Sequence, residues 1–223
     1  MPRKAARAER RTDALSRERI IDAAIEILDA QGETALTFRA LATHLSTGSG
    51  AIYWHLADKN ELLAAAADSV VVTAITSVSN RAQPKNAIRN IALALFDAID
   101  ERPWVGAQLA REPWRPAMRD IVEAIGQQLQ ALGVARRALF NTASALVDYI
   151  VGAAGQNAAH ARLLPPGTDR AAFLANVADE WTSVDPAKYP FVHQMAAQMR
   201  DHDDRKQFMA GIDLMIAGIE RDL

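Results

Sequence analysis

Cysteine is absent from the 223-residue chain, which excludes disulfide bonds, thiolate metal sites and cysteine nucleophiles and is consistent with the cytosol. No apolar run approaches the roughly 18–20 residues that are needed to cross a bilayer. The first residues, MPRKAARAERR, are not followed by the apolar segment of a secretory signal. We therefore expect a soluble, cytoplasmic protein without a membrane segment.

Motifs that would indicate catalysis are also missing. The sequence has no glycine-rich phosphate loop, no nucleophile elbow and no H-E-x-x-H motif. His160, His193 and His202 lack the i, i+4 spacing of a helical ligand pair, so we predict no metal site. These absences disfavour an enzyme, and nothing in the sequence predicts a cofactor.

Charge is nearly balanced over the whole chain, with a net value of −2, yet the N-terminus is basic. Residues 1–11 carry five basic side chains and one acidic side chain, a net charge of +4. Such an arm fits a phosphate-binding tail, and it fits a solvated, disordered tail equally well.

Helical spacing of the apolar residues, with no convincing period-two alternation, predicts an all-α fold. Three short helices come first: one from Ser16 to about Gly32, one over 37–45 and one over 49–56, separated by the turn 46–48. Two helices joined by so short a turn predict a helix-turn-helix, with the first helix completing its core. Prolines then separate longer, alanine-rich helices, predicted at 60–80, 84–101, 103–111, 115–131, 134–161, 168–182, 190–201 and 203–221. The predicted domains are a basic disordered arm at 1–15, a helix-turn-helix domain at 16–60 and a larger helical bundle at 61–223.

The third helix has the composition of a recognition helix. Small residues, Ser49 to Ala51, form its first turn and would let its backbone approach DNA closely, and Tyr53 follows one turn later. Lys59, at the start of the next helix, is placed to neutralise a phosphate. We interpret Trp54, by contrast, as a core aromatic residue rather than a DNA contact.

These residues resemble the TetR-type transcriptional regulators over about Ile20 to Leu63. The motifs are I-I-D-A-A-I-E-I-L, the frame G-x-x-A-L-T-x-R-x-L-A-x-x-L at Gly32–Leu45, and A-I-Y-W-H-L-A-D-K-N-E-L-L at 51–63, whose Tyr-Trp-His spelling is similar to the tetracycline-repressor branch. The resemblance implies a homodimeric repressor with an N-terminal DNA-binding domain and a helical domain that dimerises and binds an effector. Its expected partners are a (pseudo)palindromic double-stranded operator and a small, largely apolar effector. The DNA-binding residues that it implies, with Thr47 added from the turn, are Thr37, Arg39, Thr47, Ser49, Gly50, Ala51, Tyr53, His55 and Lys59.

Base recognition is expected to depend on Arg39. The recognition helix has no Arg, Asn or Gln in its leading positions, so it lacks the strongest bidentate contacts to guanine or adenine. We predict that Arg39 makes the main guanine contact, that Ala51 and Thr47 offer methyl surface to thymine, and that DNA shape contributes elsewhere. The turn departs from the family pattern, since Ser46 stands where glycine is usual.

Large side chains in the second domain exceed what a simple Ala/Leu bundle needs, and a bundle pocket is usually apolar with a few polar groups. The predicted effector-pocket residues are Phe96, Trp104, Gln108, Trp114, Phe140, Tyr149, Gln156, Asn157, His160, Trp181, His193, Met195 and Met199. Helices 134–161 and 203–221 are the predicted dimer interface, through Leu139, Leu146, Ile150, Ala153, Phe208, Ile212, Met215 and Ile219. Packing of these faces within one subunit is the competing interpretation.

Two other classes stay open at this point. One is a helical adaptor or ligand-binding protein whose helix-turn-helix no longer binds DNA, and the other, less favoured, is an all-helical enzyme. A duplex affinity that falls steeply with salt would separate the regulator from both.

Overall fold

The computed structural model describes residues 15–78, 82–112, 114–165, 167–221 and 223, and regular structure within these ranges is entirely α-helical. The all-α prediction is thus confirmed. The predicted arm, apart from Leu15, lies outside the described residues. The helices are α1 (Arg17–Gln31), α2 (Phe38–His44), α3 (Ser49–Tyr53), α4 (Lys59–Thr76), α5 (Pro84–Glu101), α6 (Pro103–Arg111), α7 (Pro116–Ala131), α8 (Arg136–Leu163), α9 (Arg170–Ser183), α10 (Pro190–Met199) and α11 (Asp204–Arg221).

The first three helices form a small head around one apolar cluster. Ser16 caps α1, its hydroxyl oxygen accepting from the Arg19 backbone N–H at 3.2 Å. Leu28 of α1, Leu41 of α2 and Ile52 of α3 are almost fully buried and meet in the middle. With five residues, α3 is too short to be stable alone, so its position depends on this packing.

The turn between α2 and α3 is a Schellman motif closed by a serine. The Thr47 N–H donates to the Ala42 carbonyl at 2.9 Å, and the Ser46 N–H donates to the Thr43 carbonyl at 3.2 Å. The motif requires a left-handed residue, and Ser46 has φ of 53°. A side chain in this conformation costs energy that glycine would not. The departure from the family pattern therefore leaves the geometry of the turn intact and adds local strain.

Helix α4 connects the head to the rest of the chain and packs on both. It contacts α1 on one side and α5, α6 and α7 on the other. Asp58 caps it by accepting from the Glu61 N–H at 2.8 Å. Its first half is buried all round, with Ala64 to Ala67 allowing the neighbouring helices to approach closely. The structure ends α4 at Thr76, a few residues before the predicted end, and 79–81 lie outside the described residues.

Helices α5, α7, α8 and α11 form the main body, with α6 inserted between the body and the head. The rings of Phe96 and Phe208 meet at 4.6 Å in its core. In length and composition α8 could cross a bilayer. It nevertheless packs against α5, α6, α7 and α11, and its outer face carries Asp148 and Gln156, which fits the core helix of a bundle.

Helices α9 and α10 form a hairpin that packs mainly on itself. Its buried side chains are Leu174, Ala178 and Ala196, and none of them joins the main core cluster. Arg170 and Asp204 form an ion pair that joins the start of the hairpin to α11. So small an apolar centre leaves most of the hairpin surface exposed.

We predict that Ser46→Gly raises the free energy of unfolding by about 0.5–1 kcal/mol, because glycine adopts the left-handed conformation without steric cost. Denaturant unfolding at fixed protein concentration measures the change. Thr47→Gly is the matched control. Thr47 does not have a positive φ, so glycine there relieves no strain and only removes the side chain's restriction of the backbone. A Ser46→Gly protein less stable than the native chain would contradict the strain argument.

Candidate nucleic-acid interface

The recognition helix α3 is anchored by one side chain and leaves the others open. Ile52 is fully buried beneath it, whereas Ser49 and Gly50 are exposed and Ala51 is half-buried. Tyr53 stacks on Phe38 of α2, with ring centroids 4.4 Å apart and planes 7° from parallel. The stack holds the Tyr53 ring beside α2 while 55% of the residue stays accessible. Its hydroxyl is therefore available to a phosphate or a base edge.

Two residues of α2 stand exposed beside this helix. The Thr37 hydroxyl oxygen accepts from the Ala40 N–H at 3.0 Å and so fixes the start of α2. Arg39 is exposed, and no residue within the described ranges pairs with its guanidinium. An unpaired guanidinium next to the recognition helix can form the bidentate contact that guanine or phosphate accepts.

Trp54 differs from the sequence prediction, which made it a core residue. It is 91% exposed at the C-terminal end of α3. The helix ends at Tyr53, three residues earlier than predicted, and the chain turns there so that Ile52 and Leu56 fill the core instead. The prediction was wrong because Ile52 and Leu56, four residues apart, take the buried side, and Trp54, two residues from each, lies on the opposite side.

Lys59 has a structural bond in addition to its predicted role. Its ammonium group is partly buried and donates to the Glu33 carbonyl oxygen at 2.6 Å, which joins the start of α4 to the loop after α1. His55 and Thr47 are half-buried at the edges of the same surface.

The predicted effector-pocket residues do not form one pocket. Phe96, Trp104 and Gln108 are buried in the body. Tyr149 stacks on Phe208 and donates its hydroxyl to the Phe208 carbonyl at 3.1 Å. These side chains are occupied in packing, and removing them would disrupt the core.

Other members of the predicted pocket lie elsewhere. Asn157 donates to Asp100 at 3.0 Å at the outer end of α8, near the exposed Gln156 and His160. The hairpin holds the remaining four, Trp181, His193, Met195 and Met199, all half-buried. A ring nitrogen of His193 lies 2.6 Å from the Val184 carbonyl oxygen.

Trp114 and Phe140, in contrast, line the same groove. They are 96% and 80% exposed, on either side of a groove between α7 and α8 with a volume of about 640 Å³. Met118, Val122 and Val147 line it too and were not among the predicted pocket residues. Met118 and Val122 stand four residues apart, a second apolar stripe next to the core stripe Ile121, Ile125 and Leu129 that could have revealed them.

The predicted dimer residues fall into two groups. Leu146, Ile150, Phe208 and Ile212 are buried within the protomer, so their side chains are not available to a partner, whereas Leu139, Ala153, Met215 and Ile219 are half-buried. The exposed residues of α8 and α11 include small ones, Ala145, Gly152 and Ala217, and Leu214, which is 76% exposed. For the four buried residues the periodicity selected the face that packs inward, and a dimer interface on these two helices stays a prediction.

A three-helix head with an exposed recognition helix, fixed to a larger helical body, defines a helix-turn-helix regulator of transcription. The family model described as bacterial regulatory proteins of the tetR family matches residues 20–66, and the tetracyclin repressor-like C-terminal domain matches residues 86–223. The chain belongs to the TetR family, as the sequence motifs predicted, and is a DNA-binding transcriptional regulator.

Individual relatives agree with this assignment. The solved structure of the transcriptional regulator SCO7222, a TetR from Streptomyces coelicolor, is 49% identical with a TM-score of 0.85, over 92% of this chain and 98% of that one. The class D tetracycline repressor of Escherichia coli is 29% identical over 94% of this chain and 91% of the repressor. An HTH-type regulator of Saccharopolyspora erythraea is 27% identical over 62% of this chain, and the match spans only 59% of that protein.

We predict that Lys59→Met lowers the free energy of unfolding by about 1 kcal/mol, because the partly buried Glu33 carbonyl loses its charged donor. Chemical unfolding in the absence of DNA measures this effect. Lys85→Met is the control, since Lys85 is an exposed lysine paired with Glu220 on the surface of the body. Equal stability of the two variants would show that the bond to Glu33 contributes nothing.

Proposed function

We propose that the protein is a homodimeric repressor that binds a (pseudo)palindromic operator and is released by a small, largely apolar effector. The observation that carries this proposal is the open surface formed by the unpaired Arg39, the small first turn of α3 and the Tyr53 ring stacked on Phe38. The class D relative is named a repressor, which supports repression rather than activation.

The N-terminal turn of α3 would enter the major groove, with Arg39 reading guanine from the adjacent helix. Because Ser49, Gly50 and Ala51 carry no bidentate group, most direct base recognition falls to Arg39. Thr37 and Tyr53 would position the head on the phosphate backbone.

The exposed sides of α8 and α11 support a two-fold interface. Ala145 and Gly152 on α8 and Ala217 on α11 would allow close helix approach around Leu214, and two helices from each protomer would form a four-helix contact. An isologous contact of this kind matches a symmetric operator, whose half-sites lie about 34–36 Å apart.

The groove between α7 and α8 is the effector site that the structure supports best. Its volume lies within the roughly 300–1,000 Å³ of ligand pockets. Its lining includes two basic residues, Arg115 and Arg119, and two acidic ones, Glu123 and Asp148, so it favours no net charge in the ligand. An effector that binds better to a conformation with different head spacing would lower operator affinity by at most its differential affinity.

Operator binding tests the first part of the proposal. The purified protein is used to select duplexes from genomic fragments, and its affinity is then measured at two salt concentrations. We expect tight binding that weakens steeply with salt, because cationic side chains displace counterions from phosphates. Arg39→Ala should weaken binding about tenfold to a hundredfold and relax the base preference at one position in each half-site.

Lys85→Ala is the matched control, because it also removes one positive charge but from a lysine of the body, far from the head. This variant should bind operator as the native protein does. Salt-insensitive or absent binding to every duplex would overturn the repressor proposal. An unchanged base preference in Arg39→Ala would exclude Arg39 as the guanine contact.

Substitutions of two exposed side chains test dimerisation and effector binding separately. We predict that Leu214→Asp yields monomers and abolishes operator binding, because it introduces charge at the centre of an apolar interface. Phe140→Asp should remain dimeric and bind operator, but it should no longer be released by compounds that release the native protein. Analytical ultracentrifugation and operator-release titrations measure the two properties, and each variant controls for the other. A dimeric Leu214→Asp protein would contradict the interface.

A further inference from the structure

One carboxylate of the head is bonded to two residues of the body. Asp29, near the C-terminal end of α1, accepts from the Trp104 indole Nε1 at 2.9 Å and from the Arg102 Nε at 2.9 Å. Trp104 is 3% exposed and belongs to the first turn of α6, and Arg102 lies between α5 and α6. A buried indole N–H needs a hydrogen-bond acceptor, and here a residue of the head, Asp29, provides the acceptor for a residue of the body.

The other end of α6 is tied to the same part of the head. Arg111, the last residue of α6, pairs with the Glu33 carboxylate at 3.1 Å. Glu33 also provides the carbonyl oxygen that accepts from Lys59. Both ends of a nine-residue helix are therefore bonded to residues 29–33, and we call these bonds the α6 clasp.

Beside the clasp, the head and the body are separated. A cleft of about 540 Å³ lies among α1, α4 and α5, with Asp22 and Ile25 on the head side and Ala94 and Asp97 on the body side. Along this cleft α1 and α5 do not pack closely, and the Arg102 bond of the clasp joins the head to the body at its edge.

Helix α6 cannot follow the head if the head moves. A Cβ at Gly106 would lie 3.0 Å from the Ile99 Cγ2 and 3.3 Å from the Gly155 Cα, which shows how closely α6 packs on α5 and α8. Val105 is fully buried beside it. The clasp consequently ties the head to a tightly packed part of the body.

We propose that Asp29 is a positioning residue that fixes the head relative to the body, and thereby makes operator binding selective for the distance between half-sites. The inference rests on the proposed dimeric operator binding. Without the Asp29 bonds, each head keeps its recognition surface but is held only by α4 and the exposed Arg111–Glu33 pair, so that the dimer accommodates a wider range of half-site spacings.

The test compares operators that differ only in spacing. Affinities are measured for the selected operator, for the same operator with one base pair inserted or removed between the half-sites, and for an isolated half-site. The native dimer should bind the altered operators far more weakly than the selected one. In Asp29→Ala this preference should shrink by on the order of tenfold, whereas half-site affinity should stay unchanged.

Asp22→Ala is the matched control. Asp22 lies two turns earlier on the same face of α1, and its carboxylate has no hydrogen bond or ion pair with any residue in the described part of the chain. The variant loses the same charge without touching the clasp, and its spacing preference should equal that of the native protein. Trp104→Phe removes the indole donor together with part of a buried ring, so its folding is checked by circular dichroism. It should produce part of the Asp29→Ala effect, and the effects of the two substitutions should not add fully because they share one bond.

The outcomes separate the inference from the function on which it rests. If the native protein binds no duplex with two half-sites, the proposed function fails and the inference fails with it. If the native protein is selective and Asp29→Ala is equally selective, only the positioning role is overturned. Should Asp29→Ala fail to fold, as judged by circular dichroism, Asp29→Asn carries the test, since it keeps the side-chain volume and one acceptor for Trp104 while losing the charge that pairs with Arg102.

Discussion

The structure depends on the burial of one alanine-rich helix from two sides. The first half of α4 packs against the head through α1 and against the body through α5, α6 and α7. Small side chains from Ala64 to Ala67 make this possible, because larger ones would hold the helices apart. Neither the head nor this end of the body can complete its apolar core without α4. A rotation of α4 would therefore move the recognition surface relative to the body, and no separate linker is needed.

The head shows how a very short helix can be fixed well enough to meet DNA. Ile52 buries one side of α3, and the Phe38–Tyr53 stack holds its C-terminal end against α2. A Schellman turn with a left-handed serine sets the angle between the two helices. The small residues of the first turn make none of these contacts, so that turn is left open to DNA, while Thr37 and Tyr53 combine exposure with a structural contact. Lys59 likewise has two roles, because this cation at the edge of the surface also donates to the Glu33 carbonyl oxygen.

The sequence predicted the helix order and most helix ends, because prolines, capping residues and glycines act locally. Pro84, Pro103 and Pro190 each start a helix as predicted. The direction in which side chains point was predicted less well. Trp54 was assigned to the core and is exposed, since Ile52 and Leu56, four residues apart, take the buried side and Trp54 lies opposite. The predicted effector residues do not come together for a similar reason. The sequence shows how many large side chains the bundle has, but only the three-dimensional packing decides which of them fill the core. Trp114 and Phe140 are among those that stay exposed.

The joint between head and body combines two kinds of contact with different costs of opening. Separating apolar surfaces costs about 25 cal/mol for each Å² exposed, so the α1–α4 contact resists separation. Breaking a polar bond costs less, because water replaces the lost partner at exposed groups such as Arg111. Asp29 lies between these cases, since the Arg102 side chain can be hydrated after release while the Trp104 N–H stays buried and would lose its acceptor. Opening the clasp therefore costs more at Trp104 than at Arg111, because a buried donor left without an acceptor costs about 1–3 kcal/mol.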